Sequence, residues 1–340
     1  MKLMRTEDAV GQVLCHDITQ IIKGVTKDAV FRKGHIITEE DIPVLLSVGK
    51  DHIYIWENNE NMLHENDAAK ILYDMCANKH MAPSETKEGK IELIAECDGL
   101  LKVDTERLNA VNALGEMMIA CRHGNFPVKK GDKIAGTRII PLVIEKEKME
   151  RAKKAAGEKP IFELIPFKKM KAAIVNTGNE VFYGRIKDTF TPVIIEKLTE
   201  YGAEVVGHVV SDDNHEHITA AIQKFLDEGV DMVLCTGGMS VDPDDRTPLA
   251  IKNTGAEIVT YGAPVLPGAM FLLSYYGEKK RPVIGLPGCV MYAKRTIFDL
   301  VLPRIVAGEI LKKADIDTLG EGGLCLNCPV CTFPNCGFGK

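Results

Sequence analysis

Between residue 168 and about residue 311 the chain alternates short apolar runs with amphipathic stretches, and this rhythm restricts the available folds more than any other feature. "KAAIVN" (171–176), "AEVVGHVV" (203–210) and "DMVLCT" (231–236) read as strands, as do "EIVTYG" and "PVIGLP" further on. "TPVIIEKLTEYG" (191–202) reads as a helix, with Thr191 as N-cap, Pro192 at its first position and Gly202 past its end. "NHEHITAAIQKFLDEG" (214–229), "TPLAIKNTGA" (247–256) and a long stretch over roughly 289–306 supply further helices. Such alternation predicts an α/β domain, three layers deep and doubly wound, with a mostly parallel sheet covered by helices on both faces.

The chain of 340 residues is too long for a typical single domain. Residues 1–145 carry short β-rich runs, "HIYIW" (52–56), "KIELIAE" (90–96) and "KIAGTRIIPLVIE" (133–145), and predict a smaller β-rich domain of barrel or sandwich type. One helix is expected over 65–79, with Ala68, Ile71, Leu72, Met75 and Cys76 on one face. "EKEKMERAKKAAGEKP" (145–160) has no large aliphatic stripe, so it reads as a solvated connecting helix ending at Gly157 and Pro160, within a charged linker over 146–167. Residues 168–311 are then the α/β domain and 312–340 a cysteine-rich tail. A net charge of −6 argues against a nucleic-acid or anionic-membrane surface. No apolar run approaches the roughly 20 residues that cross a bilayer. "MKLMRTEDAVGQ" lacks a signal-peptide pattern, so the cytoplasm is the expected compartment.

In open α/β sheets, ligands gather beyond the carboxyl ends of the strands. The segments that follow each strand here are "TGNEVFYGRIKDT" (177–189), "GGMSVDPDDR" (237–246), "APVLPGAM" (263–270) and "LPGC" (286–289). Gly237 and Gly238 suit a turn that exposes backbone amides to an anion, although a tight strand-to-helix turn needs no ligand. The ten-residue loop after strand 231–236 exceeds the usual two to six, which favours a functional role. It holds Asp242, Asp244 and Asp245. Exposed acids ahead of a helix N-terminus account for Asp242 or Asp244. Asp245, with Asp188 as a second carboxylate, fits Mg²⁺ held between carboxylates and a ligand phosphate.

With these residues in place, the segment from about 168 to 310 resembles the molybdopterin-binding domain shared by molybdopterin molybdenumtransferase and molybdopterin adenylyltransferase. "VNTGNEVFYGRIKDTFTPVIIEKLTEYGAEVVG" is similar to the opening of that domain, and "DMVLCTGGMSVDPDDRTPLAI" to its central motif. "GGMSV" looks like the transferase, "PDDRTPLA" like the adenylyltransferase, and "LPG" at 266–268 and 286–288 like the two terminal loops. The resemblance implies molybdopterin or adenylyl-molybdopterin as ligand and molybdate as co-substrate. It implies that Thr236, Gly237, Gly238 and Ser240 line the pterin and phosphate pocket, together with Thr177, Gly178, Asp242, Pro267, Gly268, Pro287 and Gly288 of the converging loops. It also implies that Asp188 and Asp245 handle Mg²⁺ and phosphate transfer, placing molybdate on the dithiolene with release of AMP. A homo-oligomer and a recipient molybdoenzyme complete the expected partners. The transferase's Pro-Pro-Phe-Asp-x-Ser-Ala-Met-Asp-Gly-Tyr-Ala signature is absent, a family carboxylate is Asn179, and a family lysine is Ala269. Those departures leave two other functions open: a non-catalytic molybdopterin carrier or sensor, and an adenylyltransferase-like or nucleotide-cleaving enzyme on the same fold.

"CLNCPVCTFPNC" (325–336) spaces Cys325, Cys328, Cys331 and Cys336 as C-x₂-C-x₂-C-x₄-C. Four clustered thiolates suit Zn²⁺ or an iron–sulfur cluster, and the spacing departs from the bacterial ferredoxin run by one residue. A disordered, redox-labile tail with free thiols or disulfides is the alternative. The other six cysteines read as small buried hydrophobes.

Overall fold

The computed structural model describes residues 2–55, 60–240, 242–243 and 245–340, so Trp56 and Asp244 lie outside the described residues. The chain divides into two compact units. The first comprises 1–96, 103–122 and 131–163, and the second comprises 97–102, 123–130 and 164–340.

The first unit is β-rich, built from several small sheets rather than one closed barrel. Its largest sheet has four antiparallel strands, in the order 81–83, 90–95, 133–139, 117–121. Helix Glu65–Cys76 buries Ala68, Ala69, Leu72, Met75 and Cys76. A separate cluster of Ala9, Leu14, Ile18, Ile37, Leu45, Ile53 and Ile55 forms the core of the amino-terminal segment. The expected connecting helix is present as Lys146–Ala156, ending at Gly157, but it belongs to this unit and is not wholly solvated. It buries Met149, Ala152 and Ala156. One methionine and two alanines at spacings of three and four make a narrow stripe that needs no large aliphatic residue.

The second unit is a six-stranded sheet between two helical layers. Its elements are β1 (Lys171–Thr177), α1 (Phe190–Glu200), β2 (Glu204–Ser211), α2 (His215–Asp227), β3 (Met232–Thr236), α3 (Thr247–Asn253), β4 (Glu257–Tyr261), β5 (Leu272–Tyr276), β6 (Arg281–Leu286) and α4 (Ile297–Ala307). The strand order is β2-β1-β3-β6-β5-β4. The first four strands are parallel, while β5 and β4 add an antiparallel edge. Alternation along each strand sorts residues to opposite faces. Ala172, Ile174, Met232 and Leu234 pack in one cluster with Ile194 and Leu198 of α1 and Phe298, Val301 and Leu302 of α4. Their neighbours Ala173, Val175, Val233 and Cys235 pack in the other with Ile222 and Phe225 of α2 and Ile251 of α3.

Three expectations change. Helix α1 begins at Phe190, because the Asp188 carboxylate accepts from the amides of Phe190 and Thr191 and takes the capping task assigned to Thr191. The stretch expected as one helix over 289–306 is a short 3₁₀ turn, Gly288–Met291, and then α4, which starts afresh at a Thr296–Asp299 capping box. The tail is no loose appendage: Ile316 and Phe338 are buried in the same cluster as α4.

Candidate functional site

Parallel register brings the carboxyl ends of four strands to one edge. Thr177 lies opposite Ser211, Asn176 opposite Thr236, and Thr236 opposite Leu286. The antiparallel pairing of Tyr261 with Leu272 and of Leu272 with Gly285 carries the 262–271 loop to that edge as well. Loops 177–189, 237–246, 262–271 and 287–296 therefore share one rim, as the sequence predicts.

Two buried polar atoms at this rim have no hydrogen-bond partner of ordinary geometry among the described residues: Asn176 Nδ2 and Thr236 Oγ1. Their residues are 1% and 0% exposed and are direct neighbours across β1 and β3. Leaving a buried donor or acceptor unmatched costs about 1–3 kcal/mol. Such atoms side by side at a sheet's carboxyl edge are what a polar ligand satisfies.

Around them the turn is tightly knit. Thr247 Oγ1 donates to Gly237 O at 2.8 Å, which leaves the Thr177 hydroxyl to donate to Thr247 Oγ1 at 3.1 Å. A Cβ on Gly237 would sit 2.0 Å from Thr177 O, and Gly237 has φ +86°. The glycine is thus demanded by the close approach of β1's last carbonyl as much as by any ligand. Gly268, with φ +133°, is likewise set by packing, since a Cβ would meet Ile297 Cγ2 at 2.4 Å. Gly288 differs: a Cβ there has only Phe190 at 4.0 Å, so its surroundings are open.

The two carboxylates each serve their own loop. Asp188 Oδ1 accepts from Phe190 and Thr191 at 2.9 and 3.0 Å, and His208 Nε2 lies 3.4 Å from Oδ2. Burial by itself raises the Asp188 pKa, but hydrogen bonds from Thr191 outweigh it and hold the carboxyl below its usual range. The Asn176 side chain also hydrogen-bonds this carboxylate, outside ordinary geometry, and favours its charged form, so Thr236 Oγ1 is the rim atom left wholly unmatched. Asp245 Oδ2 accepts from the Ser240 amide at 3.0 Å, and its own amide donates to Asp242 O at 3.0 Å. Tyr261 closes the same loop by donating to Met239 O at 2.8 Å. The burial of its ring and the Asp245 charge both push the Tyr261 phenol upward. Gly178 and Asn179 are tied to β2 and its following loop, through Gly178 N–H to Ser211 O and Asn179 N–H to an Asp213 carboxylate oxygen. Pro267 accepts from Ile297 N–H and Pro287 from Val290 N–H, each through its carbonyl. Among the described residues no group of three or more His, Cys, Asp or Glu side chains converges to hold a metal ion.

Residues 173–307 match the family model described as "Probable molybdopterin binding domain", and residues 3–57 match a domain of unknown function. The molybdopterin molybdenumtransferase of Synechococcus elongatus is 28% identical over 163 residues, covering 45% of this chain and 38% of that protein. A CinA-like protein of Mycobacterium avium is 34% identical over 90 residues, covering 26% of this chain and 21% of that protein. The chain thus spans well under half the length of these relatives. The solved molybdopterin biosynthesis enzyme MoaB of Thermus thermophilus superposes with a TM-score of 0.33 at 22% identity, over 42% of this chain and 99% of that one.

Sequence reasoning missed Asn176, His208, Thr247 and Tyr261 as rim residues. Asn176 alone carried a signal, being a polar residue near the end of a largely apolar buried strand. His208 and Tyr261 arrive by sheet topology, which no local pattern reveals.

Proposed function

We propose that this chain acts in molybdenum-cofactor biosynthesis, binding molybdopterin or its adenylylated form at the carboxyl rim of the second unit and placing molybdate on it with release of AMP. The observation that carries this reading is the unmatched Thr236 hydroxyl beside Asn176, set among the loops of a molybdopterin-binding-type domain. A pterin edge offers the donor or acceptor that hydroxyl lacks. The bare turn at Gly237 and Gly238 fits a phosphate, and the surroundings of Gly288 leave room for one. Mg²⁺, when bound, supplies charge neutralisation between Asp188, Asp245 and the ligand phosphate. Asp188 suits this because its carboxyl is held anionic at neutral pH. The pocket residues contribute position and electrostatics rather than a covalent step.

A specific observation favours a second reading, a non-catalytic carrier. Asp188 and Asp245 each spend one oxygen on backbone amides of their own loops, and the family's further carboxylate and lysine are Asn179 and Ala269. The test is incubation of the full chain with adenylyl-molybdopterin, Mg²⁺ and molybdate, with AMP followed by chromatography and bound pterin by fluorescence. AMP release supports the transferase, and tight binding without AMP supports the carrier. AMP released from ordinary nucleotides in place of the pterin supports nucleotide cleavage. Absence of pterin binding overturns the first two. D245N keeps an oxygen to accept from Ser240 while removing the charge, so it is expected to lose AMP release and keep pterin binding.

A further inference from the structure

The four tail cysteines line one cavity. Cys325, Cys328, Cys331 and Cys336 surround a space of about 340 Å³, walled by Leu324, Leu326, Phe333 and Phe338. None of them is in a disulfide. The loop is built to hold this shape. Cys325 N–H donates to Leu266 O and Leu266 N–H to Gly323 O, so the entry to the loop is stitched to the 262–271 rim. Its exit is fixed by Gly339 N–H donating to Gly322 O and by the burial of Phe338. Its middle is pinned by Lys294 Nζ, which donates to Cys328 O at 3.0 Å and Pro329 O at 2.7 Å. The Arg295 guanidinium lies 4.9 Å from the centre of the Phe333 ring, and both basic residues line the cavity.

A single tetrahedral zinc ion needs its sulfurs about 3.8 Å apart, given Zn–S bonds of about 2.3 Å. The tail does not provide this, since no three of these side chains meet at a point one ion could fill. An expectation of mononuclear Zn²⁺ is therefore corrected by the geometry. A polynuclear centre differs, because each cysteine binds its own iron at a corner and the inorganic core occupies the space between. We propose that Cys325, Cys328, Cys331 and Cys336 ligate a four-iron–four-sulfur cluster in this cavity. Each thiol gives up its proton on binding, and the resulting anionic centre sits beside Lys294 and Arg295 in an otherwise apolar lining. The C-x₂-C-x₂-C run supplies three corners from one loop, and Cys336, after the Phe333–Pro334 turn, supplies the fourth.

The test is anaerobic incubation of the full chain with sulfide and equal amounts of ferrous and ferric iron, which together supply the two Fe(II) and two Fe(III) of the reducible core, followed by desalting and analysis for iron, labile sulfide and zinc. About four iron and four sulfide per chain are expected, with broad visible absorption that bleaches on reduction with dithionite. C328S and C331S alter exposed thiols, so both variants are expected to fold, as checked by circular dichroism, and to lose most of the iron and colour. C121S, outside the cavity, is expected to retain them. A colourless chain holding one zinc, a chain that takes up no iron, or iron retained equally in C328S and C331S would each overturn the proposal. These readouts do not depend on pterin chemistry, so failure of the transferase assay leaves this result intact.

Discussion

Asp188 shows how one side chain serves a helix and a site together. Burial works against its charge, but its carboxylate caps α1, and the hydrogen bonds from Thr191 and Phe190 favour the charged form. Because the folded-state pKa lies below the unfolded value, the capping stabilisation is present above about pH 4 and is lost as pH falls through the folded value. D188N cannot titrate, so it should flatten the acid side of the stability profile, read from thermal melts between neutral and acidic pH. An acid limb identical to that of the parent would remove Asp188 from this role. Gly237 gives a second prediction at this scale. With φ +86° and Thr177 O only 2.0 Å from an added Cβ, G237A should destabilise the second unit by roughly 1–3 kcal/mol and weaken pterin binding. Equal melting of G237A and the parent would show that the turn relaxes freely.

Helices α1 and α4 meet through a buried ion pair. Lys197 Nζ donates to both oxygens of Asp299 at 2.7 and 2.9 Å, and the two residues are 7% and 1% exposed. Asp299 also completes the capping box of α4, accepting from Thr296 N–H at 2.7 Å, and pairs with Arg295 at 2.9 Å. Removing one partner of a buried pair strands the other, at a cost of about 3–5 kcal/mol. D299A should therefore lose that much in denaturant unfolding, and K197M should lose less because Arg295 still neutralises the acid. A loss in K197M equal to that in D299A would argue against this division of labour. Such elements were only partly legible beforehand. The strands and helices from 171 to 286, β5 apart, follow from periodicity and Thr-Pro or glycine punctuation. The start of α4 was invisible, because Pro287 through Arg295 keeps enough apolar residues to imitate a helix while Thr296 and Asp299 set the true beginning. Strand β5 was also missed, since "FLLSYY" is one short apolar run without alternation. The buried face of helix 146–156 was not legible, because alanine and methionine can bury a helix that large aliphatics do not mark.

At the scale of the molecule, the sequence shows which loops share a rim but not which atoms the rim leaves unmatched. That depends on the register of β1 against β3, which aligns Asn176 with Thr236. The tail was legible as four thiols and illegible as a folded part, because the partners of Ile316 and Phe338 lie in α4 and in the 123–130 segment, far away in sequence. Phe338 joins the cluster of Phe298, Leu300 and Val301, and Phe333 packs against Phe126 with ring centres 5.9 Å apart. Truncating a buried phenylalanine costs about 3–5 kcal/mol. F338A should thus lower the melting temperature of the second unit although it removes no thiol. It should also loosen the exit of the cysteine loop, so that any centre bound there is lost more readily to a chelator. C328S leaves the aromatic packing intact and should melt like the parent when both are stripped of metal. Measuring both variants with and without metal separates packing from ligation. If F338A melted like the parent while C328S did not, the tail would be held by its thiols alone, and its packing against α4 would be incidental.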